Sequence, residues 1–254
     1  MAIVSFSLKD KIALVTGASR GIGEAIARCF AENGATVILT ARKQEGLDTV
    51  AAAINGAGGK AVAIACHAGQ SDSIAALFAQ IKERFGRLDI LVNNAATNPY
   101  FGPAMHISES AFDKTMEVNV KGYFLMMQHA APMMVEQNGG SIINVASIAG
   151  ISPGPMQVVY SMTKGAVINM TKGFAKELGS ANVRVNAIAP GVVETKFAQV
   201  LIDTEEIHDR IVGMTALGRH AQPNEIAGAA LYLASDAGSY TTGAVIVVDG
   251  GSTA

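Results

Sequence analysis

Tyr160 and Lys164 stand four residues apart in Val159-Tyr160-Ser161-Met162-Thr163-Lys164-Gly165, and Ser147 lies thirteen positions upstream of the tyrosine at the end of an apolar run. On a helix, positions i and i+4 lie one above the other on one face, so the ammonium of Lys164 reaches the neighbourhood of the Tyr160 phenol. A free tyrosine has a pKa of about 10, too high for a base near neutrality. A cation at ~4 Å in an effective dielectric of ~20 is worth about 4 kcal/mol, or roughly three pKa units. The spacing therefore predicts a phenol lowered into the range where it both gives and takes a proton.

A second chemical signal opens the chain. An apolar run at 12–16 leads into Thr16-Gly17-Ala18-Ser19-Arg20-Gly21-Ile22-Gly23 and then a helical pattern. Glycines so placed permit a tight turn and bring backbone amides and a helix N-terminus close to a pyrophosphate. The spacing G-x-x-x-G-x-G, following a strand and preceding a helix, is a variant of the dinucleotide fingerprint. Which nucleotide binds turns on the end of the next strand, where an acidic residue holds the ribose of NAD and an arginine accommodates the 2′-phosphate of NADP. Here the segment reads Leu39-Thr40-Ala41-Arg42-Lys43, without a carboxylate, and Arg20 sits in the glycine loop. Two guanidiniums suit a phosphate dianion, so NADP is expected over NAD.

The elements that must position these groups alternate from end to end. Strands are expected at 12–16, 36–40, 61–65, 89–92, 141–146, 184–189 and 244–248, with helices at 23–33, 45–57, 72–85, 109–136, 160–180 and 224–235. Short β-branched runs alternating with helical patterns indicate a parallel sheet covered on both faces, so the predicted fold is a doubly wound α/β Rossmann-type sheet of seven strands. Pro132 is expected to kink or shorten the fourth helix. The stretch 195–215 fits no simple strand-helix unit and reads as an amphipathic insertion, placed where such folds keep specificity.

The 254 residues fit one catalytic domain, 1–254, better than two. Half are hydrophobic and 16% charged, which argues for a large core and against disorder. Lys and Arg total 19 against 21 Asp and Glu, a net charge of −2, so neither nucleic acid nor a membrane surface is an expected partner. Cys29 and Cys66 are too few for a disulfide framework, and His106, His129, His208 and His220 lack metal-ligand spacing, so no metal is expected. With no leader-like start, no long apolar run and no targeting tripeptide in the sequence as it stands, a soluble cytoplasmic protein is the expectation.

Taken together, Thr16 to Gly23, Asn93-Asn94-Ala95, Asn119, Ser147, Tyr160 with Lys164, and Pro190-Gly191 with Val193 and Thr195 resemble the short-chain dehydrogenase/reductase family over essentially the full length. That resemblance implies Tyr160 as the acid/base, Ser147 polarising the substrate carbonyl, and Lys164 lowering the tyrosine pKa while binding the nicotinamide ribose. It also implies that Asn119 holds a water that relays protons to Lys164. Gly17, Ser19, Arg20, Gly21, Ile22 and Gly23 would cradle the cofactor. Asn93 would steady the central strands and the adenosine side of the cofactor, Val193 and Thr195 would meet the nicotinamide carboxamide, and Ala95, Pro190 and Gly191 count among the cofactor-binding residues. Two departures stand out: Ala65-Cys66-His67-Ala68 replaces an acidic adenine contact, so that either His67 accepts or stacks instead or the contact is lost, and Ala96 stands where the family has glycine.

Asn94 to Gly102, with Ala41 to Glu45 and Cys66-His67, looks like the NADP-dependent carbonyl and retinal reductase branch. Tyr100, Phe101, Ile148, Met156 and Phe197 are the expected pocket walls, with residues of the 195–215 insertion as a lid, suited to an apolar ketone or aldehyde. A competitor is a 3-oxoacyl carrier protein reductase with the same catalytic residues, although no Lys or Arg occurs from 122 to 163 to meet an acidic carrier. A non-catalytic NADP sensor is the alternative of another class. The resemblance implies a homotetramer built on the helices at 109–136 and 160–180, with 247–251 as a second interface.

Overall fold

The computed structural model describes residues 4–254. Seven strands form one sheet: β1 (Ile12–Thr16), β2 (Thr36–Thr40), β3 (Lys60–Ala63), β4 (Ile90–Asn93), β5 (Gly140–Val145), β6 (Val183–Pro190) and β7 (Val245–Val248). Their order is β3-β2-β1-β4-β5-β6-β7 and every pairing is parallel. The order reverses between β1 and β4, and a crevice beyond the carboxyl ends of strands at such a switch point is where this architecture holds ligands.

The helices are α1 (Gly21–Glu32), α2 (Gln44–Gly56), α3 (Ser71–Phe85), α4 (Glu109–Met116), α5 (Gly122–Glu136), α6 (Val158–Leu178), α7 (Gln199–Asp203), α8 (Glu205–Met214) and α9 (Pro223–Ala234). Strand alternation divides the core between the faces of the sheet. Ala13, Val15, Val37 and Leu39 pack with Ile26, Phe30, Ile226 and Leu233 of α1 and α9. Leu14, Ile38 and Leu91 pack with Leu77, Ile81, Met127 and Met134 of α3 and α5 on the other side. Burial on both faces is why these strands read as continuous apolar runs.

Two expectations change. The helix expected at 109–136 is two helices joined by a π turn at Glu117–Lys121, and the break is not at Pro132, which lies inside α5. Pro132 faces solvent, where water can take up the carbonyl its missing N–H leaves free. The cause of the actual break is tertiary: Asn119 is fully buried in the π turn and its amide is tied to two other segments. The insertion at 195–215 folds as α7 and α8, the latter ending one residue short of Thr215. Among the described residues no helix is long and apolar enough to cross a membrane.

Candidate active site

The glycine loop closes over the end of β1 as its sequence requires. Gly17 and Gly21 adopt φ of 66° and 60°, the left-handed region open to glycine. A side chain on Gly23 would collide with the Gly17 carbonyl oxygen and with Nδ2 of Asn94, so α1 begins pressed against the loop. Asn94 holds that loop: its Nδ2 donates to Thr16 O at 2.9 Å and Gly17 O at 3.3 Å, while its backbone N–H and that of Ala95 donate to Thr16 Oγ1 at 2.8 and 3.0 Å.

The neighbouring residue behaves differently. Asn93 is buried and donates from Nδ2 to Asn144 Oδ1 at 2.9 Å, and Asn144 donates in turn to Thr171 Oγ1 at 2.9 Å. Consecutive strand residues face opposite sides of a sheet, so Asn93 steadies β4 against β5 and α6 while Asn94, which the motif reading left without a role, supports the glycine loop. The period of two was the signal that could have separated them.

Arg20 and Arg42 are both exposed, and neither guanidinium has a hydrogen-bond or ion-pair partner among the described residues. Their elements meet: Ala18 N donates to Thr40 O at 3.1 Å, and Ser19 Cβ lies 3.3 Å from where a Gly46 side chain would start in α2. Across the crevice Gly191 N donates to Val248 O at 3.0 Å, just beyond Pro190. Val193 is buried in a parallel bridge to Ala221, and the Thr195 methyl sits against Gly21. Ile22 is partly buried beneath the loop. Open backbone over a helix N-terminus, flanked by two unpaired cations, fits a dinucleotide with its phosphates.

His67 lies just beyond β3. Its Nδ1 accepts from Gly69 N at 3.1 Å and its Nε2 is 3.3 Å from Lys114 Nζ, which itself donates to Glu117 at 2.8 Å. The ring is thus engaged by protein on both nitrogens. Cys66 is buried against Ser73 instead of forming a pair with His67.

On the proton-handling side, α6 carries Tyr160 and Lys164 on one face, with Lys164 Nζ 5.7 Å from the Tyr160 ring centre. Lys164 is 1% exposed. Its ammonium donates to Val145 O at 2.7 Å and reaches Tyr123 Oη at 3.4 Å. Burial pushes the lysine down to about 7 and the half-buried tyrosine up to about 12, with a hydrogen bond from Ser147 pulling the other way. This corrects the expectation drawn from spacing alone: in the free chain desolvation of the phenolate outweighs the cation, because Lys164 aims its charge at a strand carbonyl and is itself desolvated.

Ser147 follows β5 and caps the 3-10 turn Ile148–Gly150, accepting from Ala149 N at 3.1 Å while its hydroxyl meets Tyr160. A side chain on Gly150 would start 2.6 Å from the Lys164 carbonyl carbon, so this glycine lets the Ser147 turn lie directly on α6. Asn119 donates both amide hydrogens, to Thr97 O at 2.9 Å and Thr163 Oγ1 at 3.2 Å, and accepts from Thr97 N at 2.8 Å. Its side chain is a brace between the end of β4 and α6.

The rim above Tyr160 is apolar. Tyr100, Gly102, Ile107, Met156 and Gln157 surround a small cavity of about 10 Å³ that borders Tyr160, and the Phe197 ring is 5.7 Å from that of Tyr160. Phe101, Met156 and Phe197 are exposed. Gly102 N donates to Met156 O at 2.8 Å, joining the two rim loops, and Met156 takes a φ of 69° that is unusual for a side-chain-bearing residue.

A family model described as enoyl-(acyl carrier protein) reductase matches residues 17–253. Dehydrogenase/reductase SDR family member 4 of Homo sapiens is 39% identical over 245 residues, covering 96% of this chain and 88% of that protein. The 3-oxoacyl-[acyl-carrier-protein] reductase of Thermotoga maritima is 40% identical over 244 residues, covering 96% of this chain and 98% of its own length. A gluconate 5-dehydrogenase from Burkholderia cenocepacia, solved with NADP and tartrate, superposes with a TM-score of 0.95 at 33% identity and covers 98% of each chain. The chain belongs to the short-chain dehydrogenase/reductase family, an oxidoreductase fold that binds a nicotinamide cofactor.

Proposed function

We propose that this family member reduces an apolar ketone or aldehyde with NADPH, within one catalytic domain spanning 1–254, in the manner of the carbonyl reductase branch. The observation that carries the reading is the convergence of Ser147, Tyr160 and a buried Lys164 beneath an apolar rim, at one end of a crevice whose other end holds Arg20 and Arg42 with no partner among the described residues.

A bound nicotinamide supplies hydride from its ring C4 to the carbonyl carbon. Ser147 donates a hydrogen bond to the carbonyl oxygen, and Tyr160 gives that oxygen its proton as negative charge develops there. A phenol held near 12 is fully protonated at neutral pH, which suits a donor in the reductive direction. Lys164 would supply the positive field that stabilises the tyrosinate left behind and, on the family resemblance, would bind the nicotinamide ribose hydroxyls. Because both Asn119 amide hydrogens are committed to Thr97 and Thr163, a relay water at this point uses oxygen acceptors of Asn119. His67, Ala95, Pro190, Gly191, Val193 and Thr195 form the walls of the cofactor crevice, and Asn93 acts on it only through β4.

A second reading, reduction of a 3-oxoacyl group on a carrier protein, draws on the Thermotoga relative. The apolar exposed rim and the absence of Lys and Arg from 122 to 163 favour a free small molecule. The expected assembly is a cytoplasmic homotetramer packed through α4, α5 and α6, where Met116, Val120, Phe124 and Met170 line an apolar groove. Light scattering after size exclusion checks this, and a monomer overturns it. The activity is tested by following nicotinamide absorbance with NADPH and NADH against a panel of aliphatic, aromatic and 3-oxoacyl-thioester carbonyls. Turnover of free ketones or aldehydes supports the proposal, turnover confined to thioesters supports the second reading, and cofactor binding without oxidation across the panel identifies a sensor.

A further inference from the structure

The insertion after β6 leaves the site at Thr195 and returns to the same place. Phe197 rests beside Tyr160, α7 and α8 follow, and His208 of α8 sets its ring edge-to-face on His220, with centres 5.5 Å apart and planes at 72°. His220 Nε2 is 3.3 Å from Glu194 Oε2. Glu194 lies between Val193 and Thr195, and its backbone N–H donates to Ala221 O at 2.8 Å while Ala221 N donates to Val192 O at 2.9 Å. The far part of the insertion therefore rests on the same short bridge that carries the walls of the cofactor crevice.

The base of this contact is firmly built and the lid is not. Gln222 donates to the same Glu194 oxygen, Glu225 accepts from Gln222 N at 2.8 Å at the start of α9, and Arg219 forks onto Glu225 at 2.8 and 2.7 Å. By contrast, no described side chain of α7 or α8 is fully buried. The described apolar side chains Leu201, Ile202, Ile211 and Val212 are only half-buried, and in a segment held this way a ring contact contributes a sizeable part of its closed population.

We infer that His208 and His220, with Glu194 behind them, are positioning residues that seat α8 over the crevice and thereby hold Phe197 against the carbonyl substrate at Tyr160. An edge-to-face ring pair is strong enough to shift such a closing equilibrium by several-fold to about tenfold. The contact touches neither the proton path nor the phosphate end, so its loss is felt in substrate capture and not in the chemical step.

The kinetic arm of this inference rests on the carbonyl-reductase reading; its structural arm does not. With NADPH and a carbonyl that the wild type reduces, His208→Ala is expected to raise the KM for the carbonyl about five- to tenfold with kcat within about twofold. His208→Phe, which keeps a ring against His220, is expected to restore KM to within about twofold of the wild type. Limited tryptic digestion of the same proteins, followed by mass, reads the lid directly: cleavage after Arg210 of α8 is expected to be faster in His208→Ala and His220→Ala than in the wild type or His208→Phe. Absence of any reducible carbonyl would sink the proposed activity and leave the lid assignment to the Arg210 cleavage rates. Equal cleavage rates in wild type and His208→Ala, or a His208→Phe variant as impaired as His208→Ala, overturn the inference.

Discussion

The floor of the site and its rim are built on opposite terms. Beneath the crevice, Asn93, Asn119, Asn144, Thr163, Lys164 and Thr171 are buried and linked by hydrogen bonds between β4, β5, the π turn and α6. Such a network has one low-energy arrangement, because each displaced partner leaves a polar group unpaired away from water. Around the crevice, Arg20, Arg42, Phe101, Met156 and Phe197 project from loops and make few contacts with the protein. The floor can set the position of a proton to a fraction of an ångström, while the rim can change occupants without disturbing it. On the proposed function, chemistry and identity are thereby held in different parts of one site.

The sharpest break of this division is Tyr160→Phe. Removing the hydroxyl of the proposed proton donor is expected to lower kcat by roughly 10²- to 10⁴-fold with the affinity for NADPH, measured by fluorescence titration, unchanged. Retained turnover would overturn the assignment of the proton to the floor.

Lys164 tests the same floor through pH. Its native pKa is depressed to about 7 from 10.5, so between those values the unfolded chain binds the extra proton and stability rises with pH, by at most about 1.4 kcal/mol per unit. Below about 7 both states are protonated and the slope from this group vanishes. Thermal melting of the cofactor-free protein is expected to show Tm rising from pH 7 to 9 by a few degrees, and Lys164→Met is expected to flatten that rise. Above about 10 the raised tyrosine acts oppositely, because the unfolded phenol ionises first.

On the rim, Arg20→Ala with Arg42→Ala is expected to reduce the preference for NADPH over NADH by about 10- to 100-fold, the scale of one or two charge-assisted hydrogen bonds, with kcat for the carbonyl little changed. An unchanged ratio of kcat/KM values for the two cofactors would remove these residues from the phosphate site. Asn144→Ala leaves Asn93 and Thr171 without their shared partner and is expected to cost about 1–3 kcal/mol, read as a drop in the denaturant midpoint, with the order of preferred carbonyls preserved. Met156→Gly should have the smallest effect on stability, a gain of up to about 1 kcal/mol from relieving the left-handed backbone. It is nevertheless expected to alter the ranking of bulky against small carbonyls, which is the rim behaving as a rim.

Much of the fold was legible. Apolar runs bounded by glycine and polar residues located all seven strands, with edges off by one or two residues, as at β3, expected at 61–65 and observed at Lys60–Ala63. The π turn was not legible, since 109–136 has unbroken helical periodicity apart from Pro132, the wrong place to look. What breaks the helix is Asn119 reaching Thr97 and Thr163, contacts across large sequence separations. At the site, Ser147, Tyr160, Lys164 and the glycines were named from type and spacing. Asn94, Gly150 and the His208-His220 contact were not, because their roles depend on which segment lies opposite.

By itself the sequence determined the sheet, the turn that approaches a pyrophosphate and the pairing of Tyr160 with Lys164 on one helical face, all consequences of local periodicity and of residues that few backbones tolerate. Only the tertiary structure decided the electrostatic sense of that pair. Spacing brings the cation near the phenol, but burial of both groups and the direction of Lys164 toward Val145 O raise the phenol and lower the lysine in the free chain. The cost of desolvating a charge depends on everything packed around it, and that is a property of the fold and not of any two residues.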